Sequence, residues 1–215
     1  MVRIVCLLIG YVFGLFQTAY IYGKAKGIDI REHGSGNAGT TNTLRVFGLK
    51  AGLIVLLGDL LKCAVAIVLV RFTIGRSYPD MLYLLLIYTA AGVILGHDFP
   101  FYLNFKGGKG IAATAGLIAA FHPYFIPVGL IAFFTIFFTT HYVSLGSLCV
   151  YAAFITQLIV MGQCGFFGME PVLLYEMYAV GAFMTFMAYF QHRANIVRLL
   201  KGEERKTYLF KKNEQ

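Results

Sequence analysis

The chain of 215 residues is 59% hydrophobic and 13% charged, with a formal net charge of +8 and a mean hydropathy of +0.73. Soluble domains are closer to half apolar and a quarter charged, so no single aqueous core hides this much apolar surface and lipid must be the solvent. A basic chain raises nucleic acid as a partner, but these cations cluster at the ends of apolar runs. That pattern points to membrane orientation and anionic ligands and away from nucleic acid.

The length permits one domain. The first apolar segment runs into Tyr20-Ile21-Tyr22 without a small-residue cleavage site, so it is expected to be a retained helix. Cys6, Cys63, Cys149 and Cys164 are far apart and lack metal-ligand spacing, so they read as packing residues, with neither a metal site nor a disulfide framework. Trp is absent, which leaves the 14 tyrosines to form the interfacial belt.

Apolar runs predict helices over 3–23, 51–71, 80–97, 110–121, 123–140, 144–163 and 174–191. The run 110–121 is short for a bilayer, and charge bias decides its role. Segment 24–50 carries Lys24, Lys26, Arg31, Arg45 and Lys50, and the tail after His192 carries seven Lys or Arg residues. Both belong inside by the positive-inside rule, so an even number of crossings separates them. The expected architecture is an all-α integral membrane protein of seven transmembrane helices, N-terminus out and C-terminus cytoplasmic, with one short helix after a Gly-Lys loop. Residues 1–192 form the membrane domain and 193–215 a basic cytoplasmic tail. No internal repeat appears.

Three polar segments then share the cytoplasmic face. In the first, Gly34, Gly36 and Gly39 are expected to leave backbone N–H groups open as an anion nest. Ser35, Asn37, Thr40, Thr41 and Asn42 add side-chain donors, and Arg45 offers a planar fork for phosphate. In the second, Lys106 and Lys109 flank Gly107 and Gly108, and Gly110 opens the short helix, whose N-terminus suits phosphate. The pattern GxxxxGK[ST] is absent, which argues against an NTPase. His97 and Asp98 lie just upstream at a helix end. In the third, His192 ends the last span and Asn195 follows on the same helical face. Ser144 and Ser147 enter from the same side, or else bond backbone within their helix. Asp59 and Lys62, three apart within a span, read chiefly as a buried ion pair facing the bundle.

Assembled, these residues resemble the bacterial acyl-phosphate:glycerol-3-phosphate acyltransferases, the PlsY family. The family's motifs are matched by Ser35 to Arg45, by Gly96 to Gly110 and by His192 to Glu204, with its Asp-x-x-Lys pair at Asp59 and Lys62. Ala38 and Thr40 stand where the family pattern has Pro and Ala, which leaves the donors intact. The resemblance covers nearly the whole chain. It implies acyl transfer from acyl phosphate to the sn-1 hydroxyl of glycerol 3-phosphate at the bacterial inner membrane, giving lysophosphatidic acid and phosphate without a cofactor. It further implies catalytic roles for Ser35, Arg45, Lys109 and His192. Phosphate or substrate binding would fall to Gly34, Gly36, Asn37, Gly39, Thr41, Asn42, His97, Lys106, Gly107, Gly108, Gly110, Ser144, Ser147 and Asn195.

An acyl phosphate is already activated, so positioning and charge stabilisation suffice. The His-x4-Asp pair of other glycerolipid acyltransferases is absent, since the residues five after the histidines are Ala38, Tyr102, Pro127, Gly146 and Val197. The hydroxyl proton is therefore expected to leave to a substrate phosphate oxygen, with His192 orienting or relaying. The alternative is a transporter of small phosphorylated anions, which would instead show repeats and midplane sites. A lipid phosphatase would want a metal-binding carboxylate cluster. Partners are the two substrates and membrane lipid, with no obligate protein partner.

Overall fold

A computed structural model describes residues 1–208, and residues 209–215 at the end of the expected basic tail lie outside the described residues. All regular structure among the described residues is helical. The helices are α1 (Val2–Gly14), α2 (Thr18–Ala25), α3 (Thr40–Phe47), α4 (Leu49–Phe72), α5 (Ile74–Ser77), α6 (Leu82–Asp98), α7 (Ile111–Phe121), α8 (Phe125–Thr140), α9 (Val143–Gln163), α10 (Pro171–Gln191) and α11 (Arg193–Leu200). Single 3₁₀ turns occur at Ile30–Glu32, Pro79–Met81 and Phe101–Leu103.

Among the described residues five stretches are long and apolar enough to cross a membrane: Val2–Ala25, Leu49–Ser77, Pro79–Leu103, Val143–Gln163 and Pro171–Gln191. The chain is therefore a multi-pass membrane protein. Ile4, Leu8 and Val12 are 61%, 56% and 65% exposed on one stripe of α1, as a lipid-facing surface requires. The two remaining apolar helices, α7 and α8, have 11 and 16 residues. At about 1.5 Å per residue α7 rises only ~16 Å, about half a hydrocarbon core.

The first predicted span, 3–23, is not one helix. It breaks between Gly14 and Thr18. A break inside lipid is tolerated only when the freed backbone groups find partners. Gln17 supplies one, its Nε2 lying within hydrogen-bond reach of the Gly14 carbonyl (3.1 Å) and, across to α6, of those of Gly96 (3.1 Å) and His97 (3.0 Å). Lys62 Nζ takes the Phe16 carbonyl at 2.8 Å. Helix α3 is a second departure, since 40–47 reads as a polar loop in sequence. Thr40, Thr41, Asn42 and Thr43 are poor formers in a helix interior yet suited to a first turn.

α1 and α6 lie backbone to backbone. Gly10 and Gly14 on α1 face Gly92 and Gly96 on α6, each pair spaced as GxxxG. A Cβ at Gly10 would fall 2.0 Å from the Thr89 carbonyl, and one at Gly92 2.0 Å from that of Leu7. Around this pair a buried cluster gathers Leu84, Leu86, Val93, Ile67, Leu117, Phe121, Tyr151 and Phe154. At one end of the bundle Arg3 of α1 and Glu176 of α10 form a two-pronged ion pair (2.5 and 2.7 Å), with the Tyr88 hydroxyl donating to the same carboxylate. The polar segments meet at the other end.

Gly92→Ala should force α1 and α6 apart and cost about 2 kcal/mol or more, read as a lower unfolding temperature in detergent. Ala at exposed Gly165, with open space around it but φ +78, should cost only ~1 kcal/mol.

Candidate functional site

The first loop is held by its own side chains. Asn42, at the start of α3, accepts from the Ser35 amide through Oδ1 (2.8 Å) and donates through Nδ2 to the carbonyls of Ile30 (3.2 Å) and His33 (2.9 Å). Its Oδ1 would lie 2.3 Å from a Cβ at Gly34, whose φ of +62 already favours glycine. Upstream, Asp29 holds Arg31 by two side-chain bonds (3.0 and 2.8 Å), and that hydrogen bonding holds the Asp29 carboxyl down at about 2.

The second loop folds back on the end of α6. The Gly107 amide donates to Asp98 O and that of Gly108 to His97 O, both at 3.1 Å. A Cβ at Gly108 would fall 2.1 Å from His97 Nε2 and 2.9 Å from Ala38 O, so this glycine is where the first and second loops touch. Gly110, left-handed at φ +71, caps α7 by accepting from the Thr114 amide and hydroxyl.

These bonds correct one expectation. Gly36 and Gly39, like Gly107 and Gly108, do not hold open amides. Gly36 N–H donates to His33 O and Gly39 N–H to Asn37 O, each at 3.0 Å. Glycine turns this tight close on their own carbonyls. The N–H groups without intrahelical acceptors are instead those of the first turns of α3 and α7. Asn42 is likewise engaged in holding the loop, and the Ser147 hydroxyl donates to Val143 O (2.8 Å) within α9.

The third segment closes the site. Lys109 Nζ donates to Asn195 Oδ1. Asn195 Nδ2 in turn donates to Glu204 Oε1 (2.7 Å), as does the Ser144 hydroxyl (3.0 Å), while Arg198 Nε bonds Glu204 Oε2 (2.7 Å). Glu204 arrives there because α11 ends in a Schellman turn. Gly202, at φ +72, donates to Leu199 O and Glu203 to Arg198 O, reversing the chain. Thr207 then pairs with His141 O (2.9 Å) and accepts from Arg45 Nη2 (2.7 Å). Arg45, Lys109, Ser144, His192, Asn195, Arg198 and Glu204 thus form one cluster. Ser35 and Lys106 are exposed on the rim, and among the described residues no hydrogen bond ties either side chain to it. A cavity of about 330 Å³ between the first two loops is lined by Asp29, Arg31, Glu32, Gly36, Asn104, Lys106 and Gly107. A second, of about 340 Å³, lies beside Arg71 and His122, away from these loops.

Burial sets the protonation of the cluster. Lys109 is lowered to about 8, first by desolvation and then by the charge of Arg198. His192, 4% exposed, is lowered to about 4 by desolvation and then by Lys109. Its Nδ1 lies 2.7 Å from Ala188 O, an atom that only accepts, so Nδ1 carries the proton and Nε2 keeps a lone pair. The group is a neutral acceptor beside a cation.

Sequence reasoning missed Gln17 and Glu204. Gln17 sits inside an apolar run with no spacing to mark it. Glu204 closes the third motif but was given no role in the site, although Gly202 two residues earlier signals the turn that brings it back. Among the described residues no cluster of His, Cys, Asp or Glu could hold a metal ion.

Comparison with known proteins now decides the family. Residues 4–202 match the family model for glycerol-3-phosphate acyltransferase. The chain is 37% identical over 207 residues to the glycerol-3-phosphate acyltransferase of Bacillus cytotoxicus, covering 96% of each chain. Two solved structures of PlsY, an integral membrane glycerol 3-phosphate acyltransferase, are 30% identical. The glycerol 3-phosphate form has a TM-score of 0.80 over 97% of this chain and 99% of that one, and the lysophosphatidic acid form 0.76 over 96% of each. The chain belongs to the glycerol-3-phosphate acyltransferase family. It is an acyltransferase of phospholipid biosynthesis, so the transporter reading falls away.

Only the charged form of Lys109 could attract a phosphate group. As pH rises through about 8 that charge is lost, so kcat/KM should fall on its alkaline limb near there. Lys109→Arg should carry the limb upward by more than a unit, because guanidinium stays protonated. His192 is neutral well above about 4, so no acidic limb near neutrality should move in His192→Gln.

Proposed function

We propose that the protein transfers an acyl group from acyl phosphate to the sn-1 hydroxyl of glycerol 3-phosphate, releasing lysophosphatidic acid and phosphate. The hydroxyl oxygen attacks the acyl carbon, the bond from that carbon to the phosphate oxygen breaks, and the proton leaves on the departing phosphate. The observation that carries the reading is the cluster in which neutral His192 sits beside Lys109 and Asn195, with Arg45 tied to the same tail through Thr207 and no acidic partner on the His192 ring among the described residues. Such a site is equipped to hold anions and orient a hydroxyl, and poorly equipped to abstract a proton. An acyl phosphate needs nothing more, because its leaving group is good and carries its own base. The solved PlsY structures in glycerol 3-phosphate and lysophosphatidic acid forms support the acceptor and product.

In this reading Arg45 and Lys109 neutralise substrate phosphate, and the His192 Nε2 lone pair accepts from the attacking hydroxyl. Ser35, exposed on the first loop, and Lys106 meet the incoming headgroup from the rim. The amides at the starts of α3 and α7 supply backbone donors. The acyl chain stays between helices, where it is already soluble. Seven crossings, with α7 and α8 completing the count, would put residue 1 outside and the site on the cytoplasmic face of the bacterial inner membrane. The basic segments 24–50 and 193–215 support that orientation.

The decisive experiment uses purified protein in detergent with palmitoyl phosphate. Phosphate release should depend on added glycerol 3-phosphate and yield 1-acyl lysophosphatidic acid, and palmitoyl-CoA should give no product. Equal turnover of the thioester would overturn the donor assignment. His192→Gln, folded as judged by an unchanged unfolding temperature, should lower kcat roughly a hundredfold. Reporter fusions at residues 24 and 208 should both report the inside.

A further inference from the structure

The buried ion pair of α4 does more than neutralise itself. Lys62 Nζ lies 2.9 Å from Asp59 Oδ1, 2.8 Å from Phe16 O and 2.8 Å from His97 Nδ1, with Gly14 O at 3.5 Å. Asp59 Oδ1 also accepts from the Thr18 hydroxyl at 2.9 Å. An ammonium has three donors and no acceptor. Its three short contacts are an anion, a carbonyl and a ring nitrogen, so each N–H has one destination and His97 Nδ1 must be an acceptor. A neutral imidazole that accepts at Nδ1 carries its proton on Nε2.

Nε2 is the atom that faces the loops. It abuts the Cα of Gly108 at the seam where Ala38 O closes in, as the clash of a Cβ there shows. Among the described residues nothing accepts from it. His97 is 2% exposed and its Nδ1 is held by Lys62, so the ring has little freedom to turn away. A pair that served only packing would be complete with Asp59, Thr18 and the carbonyls of the broken helix. The ring nitrogen is an additional contact, and it hands a fixed donor to the two phosphate-type loops.

We propose that Lys62 is a positioning residue for acyl transfer, holding His97 as the Nε2–H tautomer so that this N–H donates to a substrate phosphate oxygen at the seam of residues 38 and 108. The proposal rests on the reading of the loops as phosphate sites. Through Lys62, the break in the first helix, the core of α4 and the glycine–lysine loop form one rigid line.

The first test needs no turnover. In the full chain labelled with ¹⁵N-histidine, His97 is assigned by the signal that disappears in His97→Gln. Near neutral pH its Nδ1 should resonate as an unprotonated nitrogen and its Nε2 as a protonated one, and inorganic phosphate should shift the Nε2 signal. A protonated Nδ1, or an Nε2 signal indifferent to phosphate, overturns the proposal even if the acyl phosphate reaction proceeds as expected. Conversely, a protein that fails with palmitoyl phosphate but shows these signals loses only the donor assignment. The second test compares two isopolar variants. Gln carries its amide N–H where Nε2 was, and Asn carries it where Nδ1 was. His97→Asn should raise the KM of one phosphate substrate roughly tenfold or more above the value in His97→Gln, as loss of a bond to a charged group does. Equal KM values for the two variants at equal unfolding temperature would refute the donor role. Lys62→Met, where it folds, should move His97 toward a mixture of tautomers, and an unchanged spectrum counts against Lys62.

Discussion

One buried ammonium group, Lys62 within the apolar helix α4, organises this protein. Lys62 bonds Asp59 on its own helix, the Phe16 carbonyl in the break of the first span, and the ring of His97 at the end of α6. Removing a charge from water into lipid is costly unless partners surround it, so these groups can exist there only together. The break leaves carbonyls without partners, and the cation and Gln17 satisfy them. Each defect would be untenable alone, and their combination fixes the distances between the first span, α4 and α6. The glycine faces of α1 and α6 make this possible, since backbones must approach closely for Gln17 and Lys62 to reach across.

From that junction the site is assembled by backbone bonds more than by side chains. The second loop is pinned to the carbonyls of His97 and Asp98, the first loop is wrapped around Asn42, and the seam between them runs past Gly108. Glycine is required at 108 by space and at 34, 110 and 202 by conformation. Those glycines shape the loops; they do not all lend amides to the ligand. The free donors come from helix starts, where geometry leaves N–H groups unbonded and the dipole favours an anion. The tail then closes over the cluster through Glu204, an anion among Ser144, Asn195 and Arg198. Its carboxylate orders the side chains that flank Lys109.

The chemistry follows from burial. Desolvation leaves His192 neutral and Lys109 only weakly held as a cation near neutrality. A weak acceptor and two cations suit the proposed reaction, in which an acyl phosphate would carry both a good leaving group and a base. In that reaction a stronger base would gain little, since the main task would be to bring two anionic headgroups together. The basic cluster would offset that repulsion.

Much of this was legible in the residues. Apolar run lengths gave the helices, because lipid admits few other backbones. The spacing of Ser35 to Arg45, of Lys106 to Gly110 and of His192 to Asn195 gave three polar segments, because anion recognition needs donors close in the chain. The family resemblance rested on those same stretches. Other features arose only from contacts between distant residues. Gln17 and Lys62 break and repair a helix through partners at positions 96 and 97, far along the chain. Glu204 enters the site across 60 residues, to Ser144. Whether a glycine amide is open depends on which carbonyl lies opposite, and no local pattern encodes that. Composition and spacing determine which groups exist and how near they are along the backbone; folding decides which of them have already spent their hydrogen bonds on one another.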